Sequence, residues 1–221
     1  MKFTFRDSIF NQDLSRWNTS SVTTMFGMFW YTDFNQAMPD WDLSRVVDTS
    51  FMFSSNIRFS QDLSKWNMSS VTTMVHMFSY AFAFNSNIST WDVSKVTSLS
   101  RVFYNAKAFN SDLSKWVVSK VTNLMGTFAS AQVFHSNISN WDVSKVTALH
   151  STFAHAFAFN SDLSAWDVSK VSGMYMAFRE ARLFNSDVSN WNTSKVTHLD
   201  HTFDGAAAFN SGKSYFIMFG F

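Results

Sequence analysis

Residues 85–109 read Asn85-Ser86-Asn87-Ile88-Ser89-Thr90-Trp91-Asp92-Val93-Ser94-Lys95-Val96-Thr97-Ser98-Leu99-Ser100-Arg101-Val102-Phe103-Tyr104-Asn105-Ala106-Lys107-Ala108-Phe109, and this unit returns along the whole chain. Tryptophan falls at 17, 41, 66, 91, 116, 141, 166 and 191, a spacing of 24 residues once and then 25 six times. Phenylalanine keeps the same beat at 10, 34, 59, 84, 109, 134, 159, 184 and 209. A fixed period in this range marks a stacked-repeat solenoid, in which each unit buries its apolar face only against its neighbours.

Within the unit, Ile88-x-x-Trp91-x-Val93 has the apolar spacing of a leucine-rich-repeat strand. Trp91 and Val93 are expected to point inward and Asp92 and Ser94 outward, as period-two alternation requires. Val96, Leu99, Val102, Phe103 and Ala106 then fall on one face of a helix of about 10 residues, with Ser94 or Thr97 as N-cap. Such a helix is too short to hold alone and must pack on the sheet. The predicted fold is therefore α/β: a right-handed leucine-rich-repeat-like solenoid with a parallel β-sheet on one face and short helices on the other. Trp is expected to stack over Trp and Phe over Phe in ladders. The Phe-Asn pair carries the chain into the next strand, with Asn bonded to backbone in the turn.

The short repeat can be localised. Phe29 to Phe34 spans five residues where Phe53 to Phe59 and Phe78 to Phe84 span six. One residue is missing from that loop, where Trp30 and Tyr31 are expected to fill the altered corner. The chain reads as one repeat domain, 1–221: a partial repeat 1–10, about eight repeats over 10–209 and a degenerate tail 210–221. Both ends lack the polar caps a solenoid needs. Either the tail folds over the last repeat, burying Phe216, Ile217 and Phe219, or copies associate end to end through the uncapped termini.

Composition narrows the function. Aromatics are 18% of the 221 residues, charged residues 15%, and the formal net charge is +1 without a basic block, which gives no surface for nucleic acid. Without cysteine there are no disulfides, zinc–thiolate sites or thiol catalysis. Residues 1–7 contain no apolar stretch of signal-peptide length and no run is long enough to span a membrane, so no signal peptide and no direct membrane insertion are read.

Three strings are diagnostic: Phe109-Asn110-Ser111-Asp112-Leu113-Ser114-Lys115-Trp116, Phe159-Asn160-Ser161-Asp162-Leu163-Ser164-Ala165-Trp166-Asp167-Val168-Ser169-Lys170-Val171, and Val71-Thr72-Thr73-Met74-Val75-His76-Met77-Phe78. They resemble the BspA-like leucine-rich-repeat surface proteins, the 25-residue repeat of mycoplasma lipoproteins, from about Phe10 to Asn210. The resemblance implies an extracellular or cell-surface solenoid used in adhesion or recognition of a protein or glycan, with no catalytic residues and no cofactor.

The expected binding face is a set of columns. The residue before each Trp varies: Arg16, Asp40, Lys65, Thr90, Lys115, Asn140, Ala165 and Asn190. The residue after it is acidic or amide except at Val117, with Asp42, Asp92, Asp142 and Asp167 the carboxylates. A Ser column follows, and beyond it a basic one, Arg45, Lys95, Lys120, Lys145, Lys170 and Lys195. Such rows suit multivalent binding through weak contacts. The plainer alternative is that adjacent opposite columns neutralise each other at little net energy. The variable column is the specificity candidate, because stacking does not dictate it.

His198, Asp200 and His201 lie close on the predicted helix, but no complete ligand set is visible, so no metal site is read. A Ser repeated in every unit is a ladder hydroxyl rather than a nucleophile, and no enzyme is read. Five sequons, at Asn18, Asn67, Asn87, Asn137 and Asn192, follow from the Ser columns. The leading expectation is a non-enzymatic recognition or adhesion module. The alternatives are a structural spacer, or fragment of a larger repeat protein, and, third, a binder of ice or a crystalline lattice.

Overall fold

The computed structural model describes residues 1–209. The expected burial of Phe216, Ile217 and Phe219 lies outside them. Each repeat forms one irregular coil, and successive coils stack in register. The Trp rings pack 6.3 Å apart from Trp41 to Trp66 and 6.4 Å apart from Trp116 to Trp141, nearly parallel. Two Phe ladders run beside them, one through Phe103 and Phe128 at 5.8 Å, the other through Phe109 and Phe134 at 5.9 Å. Inside a repeat, the rings of Phe103 and Phe109 stack 3.8 Å apart. These rings are almost wholly shielded from water. Each contributes on the order of 2 kcal/mol by burial and about 1 kcal/mol per ring pair by stacking.

The expected α/β architecture is overturned. Among the described residues there is no helix, and strand pairing is confined to seven single-residue parallel bridges running Thr24, Asp48, Thr73, Ser98, Asn123, Ala148, Gly173, His198. The segment expected to be the strand is instead a pair of tight turns. The Trp91 N–H donates to the Ile88 carbonyl at 3.1 Å and the Val96 N–H to the Val93 carbonyl at 2.9 Å.

The parallel pairing lies in the stretch expected to be helical, 98–106. There the N–H groups of Leu99, Arg101, Phe103 and Asn105 donate to the carbonyls of Asn123, Met125, Thr127 and Ala129 in the next repeat, at 2.6–3.0 Å. The intervening N–H groups of Val102, Tyr104 and Ala106 turn back to Leu99, Arg101 and Phe103. Half the amides therefore hold the local turns and half hold the stack.

Two physical facts exclude the helix. Helices pack 8–10 Å apart, whereas the rings carried by this segment repeat at 5.8 Å. The backbone also turns left-handed twice per repeat, at Arg101 (φ 53°) and Asn105 (φ 56°), which a right-handed helix cannot continue through. The same two columns recur as Phe51 and Ser55, His76 and Tyr80, Ser151 and His155. Neither expected N-cap caps a helix. The Ser94 N–H is held by the Asp92 carboxylate, and the Thr97 hydroxyl donates to the Thr72 carbonyl.

The short corner has a specific chemical solution. In a six-residue corner the Ala81 N–H donates to the Phe78 carbonyl, and the Ala81 carbonyl accepts the Phe84 N–H. In the five-residue corner the Thr32 hydroxyl does both, donating to the Phe29 carbonyl at 2.9 Å and accepting the Phe34 N–H at 3.3 Å. One hydroxyl replaces one peptide group. Phe5 to Phe10 is equally short, and Ser8 plays the same part there. Where the corners lengthen, the Asn56 amide reaches back to the Phe34 carbonyl at 2.8 Å.

Candidate binding face

Two turns per repeat build the face on which the candidate residues sit. In 88–91 the variable residue, Thr90, holds the third place of the first turn. In 93–96 Lys95 holds the third place of the second turn. The column after Trp lies between them. Except at Ala37 and Val117, a carboxylate or amide stands before each turn and accepts an N–H two residues on, as Asn87 does from Ser89 at 3.1 Å and Asp92 from Ser94 at 3.0 Å. Short polar side chains pre-form turns in this way. The repeated Asp-x-Ser and Asn-x-Ser pairs are thus turn locks. At 37–39 both members change together: Ala37 offers no acceptor, and Pro39 has no N–H that needs one.

Every candidate residue is exposed: Arg16, Asp40, Lys65, Thr90, Lys115, Asn140 and Asn190 on the first turn; Asp42, Asp92, Asp142 and Asp167 between the turns; Lys95, Lys120, Lys145, Lys170 and Lys195 on the second. The Trp beneath is not: Trp91 and Trp116 are each 3% exposed, and the indole N–H of Trp116 donates to the Ile88 carbonyl of the preceding repeat at 3.0 Å. What was expected as a sheet face is a row of turn tips held from below by tryptophan.

The tips also touch one another. The Thr90 hydroxyl donates to the Ser64 carbonyl at 3.1 Å and the Asn140 amide to the Ser114 carbonyl at 2.6 Å, so part of the variable column ties neighbouring turns together. The Ser44 hydroxyl and amide hold the Asp42 carboxyl below its usual range. Asp92, Asp142 and Asp167 are lowered likewise by Ser94, Ser144 and Ser169, with Lys95, Lys145 and Lys170 adding smaller attractions. These carboxylates are fixed in place and ionised at neutral pH.

A second acidic set, Asp13, Asp62 and Asp112, opens the first turn and is lowered by Ser15, Ser64 and Ser114. The expected columns missed it, although the same Asp-x-Ser signal marks it. Beside the basic column runs a ladder of exposed Thr hydroxyls, Thr97 to Thr72, Thr122 to Thr97 and Thr147 to Thr122, each donating to the main chain of the repeat before.

His198 sits on the bridge column and His76, His150, His155 and His201 on the 98–106-type segment rather than on a helix, while His135 follows Phe134 and pairs with Asn110. The His150 and His198 rings meet edge to face at 6.1 Å. His150 folds over Gly173, where an added Cβ would stand 2.1 Å from its ring. His201 faces the Asp204 carboxylate at 3.7 Å.

The geometry defines a repeat protein whose units stack through main-chain bonds on one side and tryptophan-anchored turns on the other. The family described as Mycoplasma protein of unknown function, DUF285, matches residues 30–137 and 98–216, and the chain belongs to it. No curated protein and no solved structure matches the chain.

Proposed function

We propose that this chain is a non-enzymatic, cell-surface or secreted recognition and adhesion module that binds a protein or charged glycan surface through its turn tips. The observation that carries the reading is the contrast within each turn: the tip residues are exposed in register from repeat to repeat, while the Trp beneath them is buried. Rigidly spaced charges of both signs favour a complementary partner by many weak contacts and at low cost in ordering. The finer kinship with BspA-like surface proteins, and the surface location it brings, belong to the same proposal. So does end-to-end association of copies, supported by the Trp17 ring, which is 37% exposed where Trp41 is 4%.

The test is an array of extracellular-matrix proteins and charged glycans probed with the wild-type chain and with Arg16→Ala/Lys65→Ala/Lys115→Ala, at low and high salt. The expected result is at least one ligand whose binding weakens at high salt and falls at least tenfold in the triple variant. A chain that binds nothing, or a triple variant that binds unchanged, would leave the spacer reading in its place.

A further inference from the structure

The length of the corner between the two Phe ladders changes once among the described residues, and a cleft lies there. The first two corners have five residues and the third has six, and at this step lies a cleft of 350 Å³ whose walls include Asp7, Ile9, Tyr31, Asp33, Ser55 and Ile57. We infer that this cleft binds a neutral sugar, with the Tyr31 ring against the apolar face of a pyranose and the Asp7 and Asp33 carboxylates accepting its hydroxyls.

Three observations select that chemistry. Tyr31 is 55% exposed, is held with a left-handed backbone (φ 56°) and stacks on Trp30 at 5.7 Å, so a rigid aromatic surface faces solvent. Ile9 and Ile57, 97% and 44% exposed, line the same cleft, so apolar surface stands beside the acidic rim and the Ser8 and Ser55 hydroxyls. Each rim carboxylate already has its counter-ion: Asp7 lies 3.0 Å from the Arg6 guanidinium and Asp33 3.8 Å from that of Arg58. Arg6 is itself held over the Trp30 ring at 4.2 Å.

The rim charges cancel, which disfavours a cation or anion and favours an uncharged ligand rich in hydroxyl groups. The volume stands at the lower end of small-ligand sites, which run from about 300 to 1,000 Å³. That suits one or two sugar rings of a longer chain.

The cleft and the turn-tip face are separable. The full chain is titrated with cellohexaose, chitohexaose, laminarihexaose and mannohexaose, followed by amide chemical shifts and calorimetry. At least one is expected to bind with Kd near about 1 mM or tighter, shifting the amides of Tyr31 and Asp33, and to bind alike at low and high salt. Tyr31→Ala and Asp33→Asn should each weaken it at least tenfold. Tyr31→Phe, Tyr175→Ala and the Arg16/Lys65/Lys115 triple variant should leave it unchanged. The proposal is overturned if none of the four sugars binds, or if binding survives both Tyr31→Ala and Asp33→Asn. Should Tyr31→Ala fail to fold, Asp33→Asn alone decides.

Discussion

Residues 88–96 and 98–106 belong to the same repeat and are held by opposite means. The first stretch stacks through side chains: the Trp116 indole reaches the Ile88 carbonyl, and Asn87 and Asp92 lock the two turns. The second stacks through the main chain, with alternate amides bonded to the next repeat. The sequence follows this division. Where side chains make the bonds, the repeats differ little: Trp never changes, and the turns keep Asp or Asn two residues before Ser except at 37–39 and at Val117. Where the main chain makes them, one left-handed column holds Phe51, His76, Arg101, Gly126, Ser151, Met176 and His201. A backbone bond does not depend on the side chain, so that column is free to vary.

The comparison breaks most severely at the tryptophans. Trp116→Ala removes a buried ring that stacks on Trp91 and Trp141 and also frees the Ile88 carbonyl. Denaturant unfolding should show a loss of about 3–5 kcal/mol, as for other large-to-small aromatic replacements. Next is Thr32→Val, nearly isosteric, which leaves the Phe34 N–H and the Phe29 carbonyl of the short corner without the bridging hydroxyl. It should cost about 1–3 kcal/mol, and Thr32→Ser should recover most of it.

Gly126→Ala tests the freely varying column. The alanine keeps a left-handed φ of 60° and places its Cβ 3.0 Å from the Arg101 side chain. The expected loss is about 1–2 kcal/mol in the same unfolding assay, because the column tolerates side chains yet still charges for the backbone.

The last effect is absent at neutral pH and develops only in acid. Burial, and then the charge of Arg101, lower His76 from 6.5 to about 4, and its ring stacks on Phe51 at 4.6 Å. The folded chain holds His76 neutral while the unfolded chain takes up a proton. Stability attributable to this group is therefore complete above pH 6.5 and is lost as the pH falls toward 4. His76→Phe should make that part of the stability–pH curve less steep, with His150, lowered by burial and then by His198, keeping some slope there, and an unchanged slope would contradict the effect.

The period, the ring ladders and the place of the missing residue were legible because they depend on spacing alone. The helix was not. A succession of turns set Val96, Leu99, Val102, Phe103 and Ala106 at offsets that also fit a helical face, and periodicity cannot tell the two apart. Three of the six glycines did hold the clue, since Gly27, Gly126 and Gly205 all fall in the left-handed columns. Arg101, Asn105 and their counterparts hide it, because they take the same conformation without being glycine.

The columns of the candidate face were legible as exposed rows, from Arg16 to Asn190 and from Lys95 to Lys195. Their turn geometry was not, since Asp92 followed by Ser94 alternates as a strand would. The Tyr31 cleft left no motif, because it arises from the difference in length between neighbouring corners.

The central claim is that alternate amides of 98–106 bond to the next repeat instead of within a helix. Scalar couplings across hydrogen bonds, measured by NMR on the isotopically labelled chain, read the acceptor of each amide directly. The Arg101 amide should couple to the Met125 carbonyl and the Phe103 amide to that of Thr127. A coupling from Arg101 to Thr97, four residues back, would restore the helix and contradict this account.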